Sequence, residues 1–390
     1  MKRFIAAFVV ATLAVSAFAD DDGDSVMKEA RKRAKSAQPD QGVVEQEEEK
    51  QDQLDEDTIF LPVAFSVLPG SPIAGMKVDT NFGLGLIIGS MNNVSGLQVS
   101  SIASISSGRI SGLQAAYVFN IAQDEVRGIQ TSNAFNIAGE DVKGIQGAGV
   151  FNIASGKVFG IQSGGIFNIA QNLTGIQASG IFNVSQNISG IQAAGIFNVT
   201  QELHGIQLGL VNIAETANGM QLGLINIVED GIHDLGVWFE DSGDAYGFWQ
   251  NGTKHAYTIL FAGAPRNDWC NTNERLAGGI GFGFRIGGNH RFEPGIDIDL
   301  SAKARFEKEM INQAVDTDTR YHPDIFPSAR LSLRLPLGSM LAIHAGAVLD
   351  IEREGGVRVP EYFREKDSWD VSVFGEAWTV HPKWFIGFSL

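Results

Sequence analysis

Between Asn93 and about Asp230 the chain sets single amides into short apolar stretches at a period near 15 residues. Aligned on Gly-aliphatic-Gln, the units start at Gly96, Gly112, Gly128, Gly144, Gly160, Gly175, Gly190, Gly205 and Gly219, each with a glutamine two residues on. The intervals are 16, 16, 16, 16, 15, 15, 15 and 14 residues, a fixed period that marks a repeat architecture. Five or six residues after most of these glutamines comes an asparagine in an apolar setting, at Asn120, Asn136, Asn152, Asn168, Asn183, Asn198, Asn212 and Asn226. The unit is clearest in Gly190, Gln192, Phe197 and Asn198, and again in Gly205, Gln207 and Asn212.

Phenylalanine and β-branched residues fill the apolar positions, glycine recurs, and proline is absent from the repeats, a composition that favours strands over helices. Written as one strand, Gly190 to Val199 places Ile191, Ala193, Gly195, Phe197 and Val199 on one face and Gln192, Ala194, Ile196 and Asn198 on the other. Charges such as Asp124, Glu125, Arg127, Glu140, Asp141, Lys143, Lys157 and Glu202 fall only in the connectors. Uncharged segments of about ten residues between polar turns are what membrane-spanning β-strands present. A parallel β-solenoid, with Gln on Gln, Asn on Asn and Phe on Phe about 4.8 Å apart, accounts for the same pattern. Two features favour the solenoid. The units show no odd-even alternation, and the Gln-to-Asn spacing falls from six to five at Gln207 and Gln221. That shift reverses the face of a residue in a continuous strand but is harmless at a corner.

After Asp230 the pattern becomes plain alternation. Strands are expected at Ala256 to Ala262, Leu276 to Ile286, Gly295 to Phe306, Ala329 to Leu335, Met340 to Ile351, Trp369 to Thr379 and Trp384 to Leu390. Turn material lies at Gly287-Gly288-Asn289, Gly338-Ser339 and His381-Pro382. Trp378, Trp384, Phe385 and Phe388 fit an interfacial aromatic girdle near a final strand that ends on Leu390. With Phe60 to Val67 and Phe82 to Gly89, and one strand per repeat, the total favours an all-β antiparallel outer-membrane-type barrel of roughly 16–18 strands. The alternative is a short-coil parallel solenoid joined to a smaller C-terminal antiparallel barrel. The chain divides accordingly into 1–19, 20–58, 59–92, 93–230 and 231–390.

The ends change the picture. Lys2 and Arg3, an apolar run from Phe4 to Val15 and the triplet Ala17, Phe18, Ala19 read as a secretory signal peptide cut after Ala19. No later stretch has the length of a membrane-spanning helix. From Asp20 to Asp57 the chain is acidic, with Glu45, Glu47 to Glu49, Asp52 and Asp55 to Asp57 and a basic patch at Arg31 to Arg33, as expected of a solvated tether. A net charge of -16 argues against nucleic acid as a partner, and a lone Cys270 allows no internal disulfide. The partners expected are outer-membrane lipid and an extracellular or envelope ligand.

At its Gly-x-Gln and Phe-Asn-Ile units the chain resembles the surface-repeat proteins of spirochaetes and Bacteroidetes, whose units read roughly Gly-Leu-Gln-x-Gly-Leu-x-Asn. Gly205 to Ile213 and Gly219 to Ile227 carry the match. The resemblance implies an exported surface or outer-membrane protein. It transfers no catalytic or binding residue.

Candidate chemistry is sparse. The seven histidines, His204, His233, His255, His290, His322, His344 and His381, form no pair at zinc-ligand spacing. Nucleophile-elbow, Walker and dinucleotide motifs are missing, so neither an enzyme nor a cofactor is expected. Asp297 and Asp299 share a strand face, and Asp316, Asp318 and Asp324 crowd one loop with Tyr321 and His322. Such oxygens suit calcium, a solvated loop or a cation-selective pore lining. The expected function is that of an exported structural or pore-forming β-protein. The alternative is a rigid adhesin presenting stacked repeats.

Overall fold

The computed structural model describes residues 58–68, 76–265, 275–288, 293–307, 324–338, 341–353, 368–373 and 376–390. The signal-peptide and tether assignments, Cys270, and the loop with Asp316, Asp318, Tyr321 and His322 lie outside these residues. The described chain is all strand, and no helix in it is long and apolar enough to cross a membrane. It separates into two compact units that meet between Gln186 and Asn187.

The first unit is a parallel β-solenoid. Thr58–Ser66 pairs in parallel with Lys77–Gly85, and from there each coil lays its strands on the equivalent strands of the coil before. Registration is by identity: Val142, Gly144 and Gln146 oppose Val126, Gly128 and Gln130 on one side and Val158, Gly160 and Gln162 on the other. Phe119, Phe135, Phe151, Phe167 and Phe182 consequently stack with ring centroids 4.8 to 4.9 Å apart. Phe60 to Val67 and Phe82 to Gly89 thus belong to coils, not to a barrel wall.

The coil interior is lined by a ladder of aliphatics, Val94, Ile110, Val126, Val142, Val158 and Leu173, together with two ladders of amides. Gln114, Gln130, Gln146, Gln162 and Gln177 each donate Nε2 to Oε1 of the glutamine one coil earlier, at 2.7 to 2.9 Å. The asparagines run the other way, Asn120 donating to Asn136, Asn136 to Asn152, Asn152 to Asn168 and Asn168 to Asn183, at 2.8 to 2.9 Å. All these amides are fully buried, so each would be costly without its neighbour. Opposed ladder directions also set the two rows of amide dipoles against each other.

Glycine recurs for a steric reason. Gly144 has φ +142°, and a β-carbon built on it would lie 2.0 Å from the carbonyl oxygen of Gly128 in the preceding coil. A side chain there would push the coils apart.

The single barrel of 16–18 strands is not formed: the all-β expectation holds, and the architecture is the solenoid with a smaller barrel. Antiparallel meander pairing would bring unlike residues together, whereas parallel stacking seats each amide on its twin. Gly190 to Val199 is likewise not one strand, because one strand ends at Ala194 and the next starts at Phe197, with the turn at Gly195-Ile196. Gln192 and Asn198 face the dry coil interior, with no water-filled lumen behind them, and Phe197 points outward.

In the second unit the coils keep the same rule. Gln207 donates to Gln192 and Gln221 to Gln207, while Asn198 donates to Asn212 and Asn212 to Asn226. Gly190 and Gly205 repeat the positive φ, at +144° and +143°. The five-residue spacing at Gln207 and Gln221 shortens the run into the corner by one residue without taking either amide out of its ladder.

The chain then forms a closed antiparallel barrel of eight strands, Ile232–Glu240, Asp244–Gly252, Ala256–Pro265, Arg275–Gly287, Gly295–Glu307, Asp324–Leu337, Leu341–Arg353 and Glu376–Ser389. Closure is made by Gly236 to Glu240 against Phe385 to Ser389, and Trp369–Val373 forms a hairpin on the last strand. His381-Pro382 is no turn: the last strand runs straight through it. The first two barrel strands, Ile232–Glu240 and Asp244–Gly252, were not expected from the sequence.

Replacing Gln146 by Leu removes its bonds to both neighbouring glutamines, 2.8 Å to Gln130 and 2.8 Å from Gln162. Urea unfolding of the full chain should show a loss of about 1–3 kcal/mol.

Candidate functional site

Among the described residues, polar side chains outside the amide ladders gather in the barrel lumen, on the barrel wall where the last coil docks, and along one edge of the coils.

Lumen residues alternate with outward ones along every barrel strand. Lys303 is held 3.0 Å from Asp350 and 3.7 Å from Glu240. Lys383 completes the group, 2.7 Å from Asp350 and 3.4 Å from Glu240. Nearer the other rim Arg285 clasps Asp297 with two bonds of 2.6 and 2.8 Å and reaches Asp234 at 2.9 Å. Arg330 bonds Asp299, Arg305 bonds Glu352, and Arg334 lies 3.5 Å from Asp234.

Between these charges lies a belt of buried aromatics, Trp238, Tyr246, Phe248, Tyr257, Phe261 and Phe385. The Arg330 guanidinium sits 4.8 Å over the Trp238 ring. An eight-stranded barrel is just wide enough for its own side chains to fill, and here they do. Asp297 and Asp299 are therefore carboxylates paired with arginines. His344 is buried with Nε2 2.8 Å from the Ser389 hydroxyl. No cluster of metal-ligating side chains occurs among the described residues.

This network escaped the sequence reading, yet its signal was present. Asp297, Asp299, Lys303 and Arg305 recur at even spacing on one strand, as do Arg330 and Arg334 on the next and Asp350 and Glu352 on the one after. Charges at period two inside apolar strands mark the inner face of a small barrel. Of the expected aromatic girdle, Trp384 and Phe388 face outward, whereas Phe385 points inward to the belt.

The last coil docks on the barrel wall. Asn251 and Thr258 are cross-strand partners. Both point outward, because their neighbours Gln250 and Ile259, also paired, face the lumen. Asn226 donates its backbone N–H to Asn251 Oδ1 at 2.7 Å and its Nδ2 to Thr258 Oγ1 at 2.9 Å. Thr258 in turn donates to the Gly223 carbonyl at 2.6 Å. The asparagine ladder, whose donors point towards the barrel, thus ends on a hydroxyl of the wall.

On the charged edge of the coils Glu125 meets Arg127 at 2.8 Å and Lys143 at 2.7 Å, with Arg109 at 3.5 Å. The hydrogen bond from Arg127, opposed by partial burial and aided by Lys143, holds its carboxyl below the usual glutamate range.

The repeat residues Gly190, Gln192, Phe197, Asn198, Gly205, Gln207 and Asn212 are brought together as ladders. What they build is a hydrogen-bonded scaffold.

No family model matches the chain, and no curated protein matches it. Among solved structures, the N-terminal β-barrel domain of Pseudomonas aeruginosa OprF is similar at a TM-score of 0.23 and 7% identity, over 40% of this chain and 94% of that one.

Asp350→Ala leaves two buried ammonium groups, Lys303 and Lys383, with Glu240 as their remaining shared carboxylate. The expected loss in barrel stability is about 3–5 kcal/mol by denaturant unfolding, partly restored when Lys303→Met is added.

Proposed function

We propose that this chain is an exported outer-membrane protein in which the eight-stranded barrel is the membrane anchor and the repeats form a rigid structural module, with no catalysis. The observation that carries this reading is the outer surface of the barrel. Along Gly295–Glu307 the outward residues are Ile296, Ile298, Leu300, Ala302, Ala304 and Phe306. Along Asp324–Leu337 they are Ile325, Pro327, Ala329, Leu331, Leu333, Leu335 and Leu337. None of these carries a charge, while the inward Lys303, Lys383, Arg285, Arg330 and Arg305 each have a carboxylate partner. Ten residue steps from Ile296 to Phe306, at about 3.3 Å and a tilt near 40°, cover about 25 Å of height, the thickness of an outer-membrane apolar band.

A conducting pore is the weaker reading, because the aromatic belt and the Lys303, Lys383, Asp350 and Glu240 group occupy the lumen. The two rims differ in the way that orients such barrels. One carries the three-residue connections 253–255 and 338–340 and the seven-residue connection 288–294. The other carries the three-residue connection 241–243 and the longer connections 266–274, 308–323 and 354–375, the last containing Trp369–Val373. Short connections face the periplasm in outer-membrane barrels, and the absence of a long connection on the rim with Lys254 supports that side for it. The resemblance of Gly205 to Ile213 to surface-repeat units supports an envelope setting.

The full chain folded into detergent should migrate differently on gels before and after heating, and should give no discrete conductance in planar bilayers. Ile298→Asp places a carboxylate in hydrocarbon and should sharply reduce the folded band. A soluble, detergent-independent monomer would refute the anchor, and discrete channels would restore the pore.

A further inference from the structure

The last coil meets the barrel on its outward wall and not on a rim. Asn251 and Thr258 are outward residues, and Asn226 and Gly223 cover them. The strand Ile225–Val228 pairs on its far side with Val211–Ala217, which pairs in turn with Phe197–Leu208. From the wall outwards, then, these coils stack sideways, away from the barrel.

The two edges of these coils differ in chemistry. One edge carries Glu202, His204, Glu215, Glu229 and Asp230, and Asp230 lies 3.6 Å from Lys254 in the short connection 253–255. That edge is therefore level with the rim. The opposite edge, Gly195-Ile196, Leu208-Gly209-Leu210 and Leu222-Gly223-Leu224, has no charge, and its Ile196, Leu208, Leu210 and Leu224 are exposed. Gly223 touches Thr258, three residues up the wall from that connection, about 8 Å into the apolar band for a tilted strand.

We propose that the coils from Phe197 to Asp230 lie within the membrane beside the barrel, their uncharged edge in the hydrocarbon of the short-connection leaflet and their charged edge at the aqueous boundary. The proposal rests on the barrel being a membrane anchor. Three observations select lipid as the occupant. The coils emerge from the lipid-facing wall, their exposed apolar edge continues that wall, and their charges all face the rim. Hydrocarbon favours backbone whose polar groups are paired, and coil-to-coil bonds pair much of this edge. Val211 N–H donates to the Ile196 carbonyl at 2.8 Å, Leu224 to Leu210 at 3.0 Å and Ile225 to Leu210 at 3.1 Å, so the turns are bonded coil to coil. The amides, buried between the faces, never meet lipid. The depth is that of interfacial elements, about 5–10 Å.

Depth-resolved fluorescence quenching tests this on the full chain with Cys270→Ala, reconstituted in phosphatidylcholine vesicles. Bimane would be attached in turn to Leu224→Cys, Glu229→Cys and Ile298→Cys. Leu224→Cys and Ile298→Cys should each be quenched by acyl-chain nitroxide lipids about twofold or more above Glu229→Cys, which should instead respond to iodide. Iodide quenching of Leu224→Cys, with Ile298→Cys still quenched by lipid, would overturn the proposal and leave the anchor standing. Shielding of Leu224→Cys from both quenchers would overturn it in favour of a protein cover. Iodide access at Ile298→Cys would instead overturn the anchor itself, and the proposal with it.

Discussion

The structure depends on the pairing of identical amides across a 4.8 Å step. A buried glutamine side chain has donors and an acceptor to satisfy, and stacking it on its twin satisfies both at once. That demand sets the register, because a coil displaced by one residue would turn every amide outward and every outer aliphatic inward. Glycine is needed where the coil adopts a positive φ, since at Gly144 that conformation would aim a β-carbon at the Gly128 carbonyl of the coil before. With the amides and one aliphatic ladder inside, other large apolar residues occupy the outer surface. Ile129, Ile145, Ile161 and Ile176 form such an outer row in the first unit.

The barrel solves the same problem with charges in place of amides. Its inward carboxylates and cations neutralise one another around an aromatic belt, and its outward residues are aliphatic. Both parts thus bury polar side chains in mutual pairs beside an apolar filling, and leave rows of aliphatic residues on the outside. The junction obeys the rule as well. The wall turns polar at Asn251 and Thr258, where the open end of the asparagine ladder arrives with an unspent donor. A ladder of hydrogen bonds has a direction, and the wall supplies the acceptor at its end.

Much of this was legible in the sequence. The period, the amide positions and the confinement of charge to one connector pointed to strands, and the shortened spacing at Gln207 pointed to corners. Between a barrel and a solenoid the strand count favoured the single barrel, wrongly, because both architectures put alternating residues on opposite faces. What decides is whether a repeat meets its like in parallel or its unlike in antiparallel, a relation between units that no single unit contains. The strands Ile232–Glu240 and Asp244–Gly252 were missed because their inward side chains are aromatic, Trp238, Tyr246 and Phe248, so alternation of polarity is weak there. The lumen pairs, such as Lys303 with Asp350, join residues far apart in the chain and surface only when the barrel closes.

Parallel, identity-registered stacking is tested most directly by disulfide trapping in the full chain carrying Cys270→Ala. Ile145 and Ile161 oppose one another on neighbouring strands and both face outward. Mild oxidation of the Ile145→Cys, Ile161→Cys pair should close a disulfide in the folded protein, because directly opposed strand residues fall within disulfide reach. Under the same conditions Ile145→Cys with Phe159→Cys, displaced two residues along the strand, should stay largely reduced. Equal trapping of both pairs, or trapping of the displaced pair alone, would contradict the ladder register on which the structure rests.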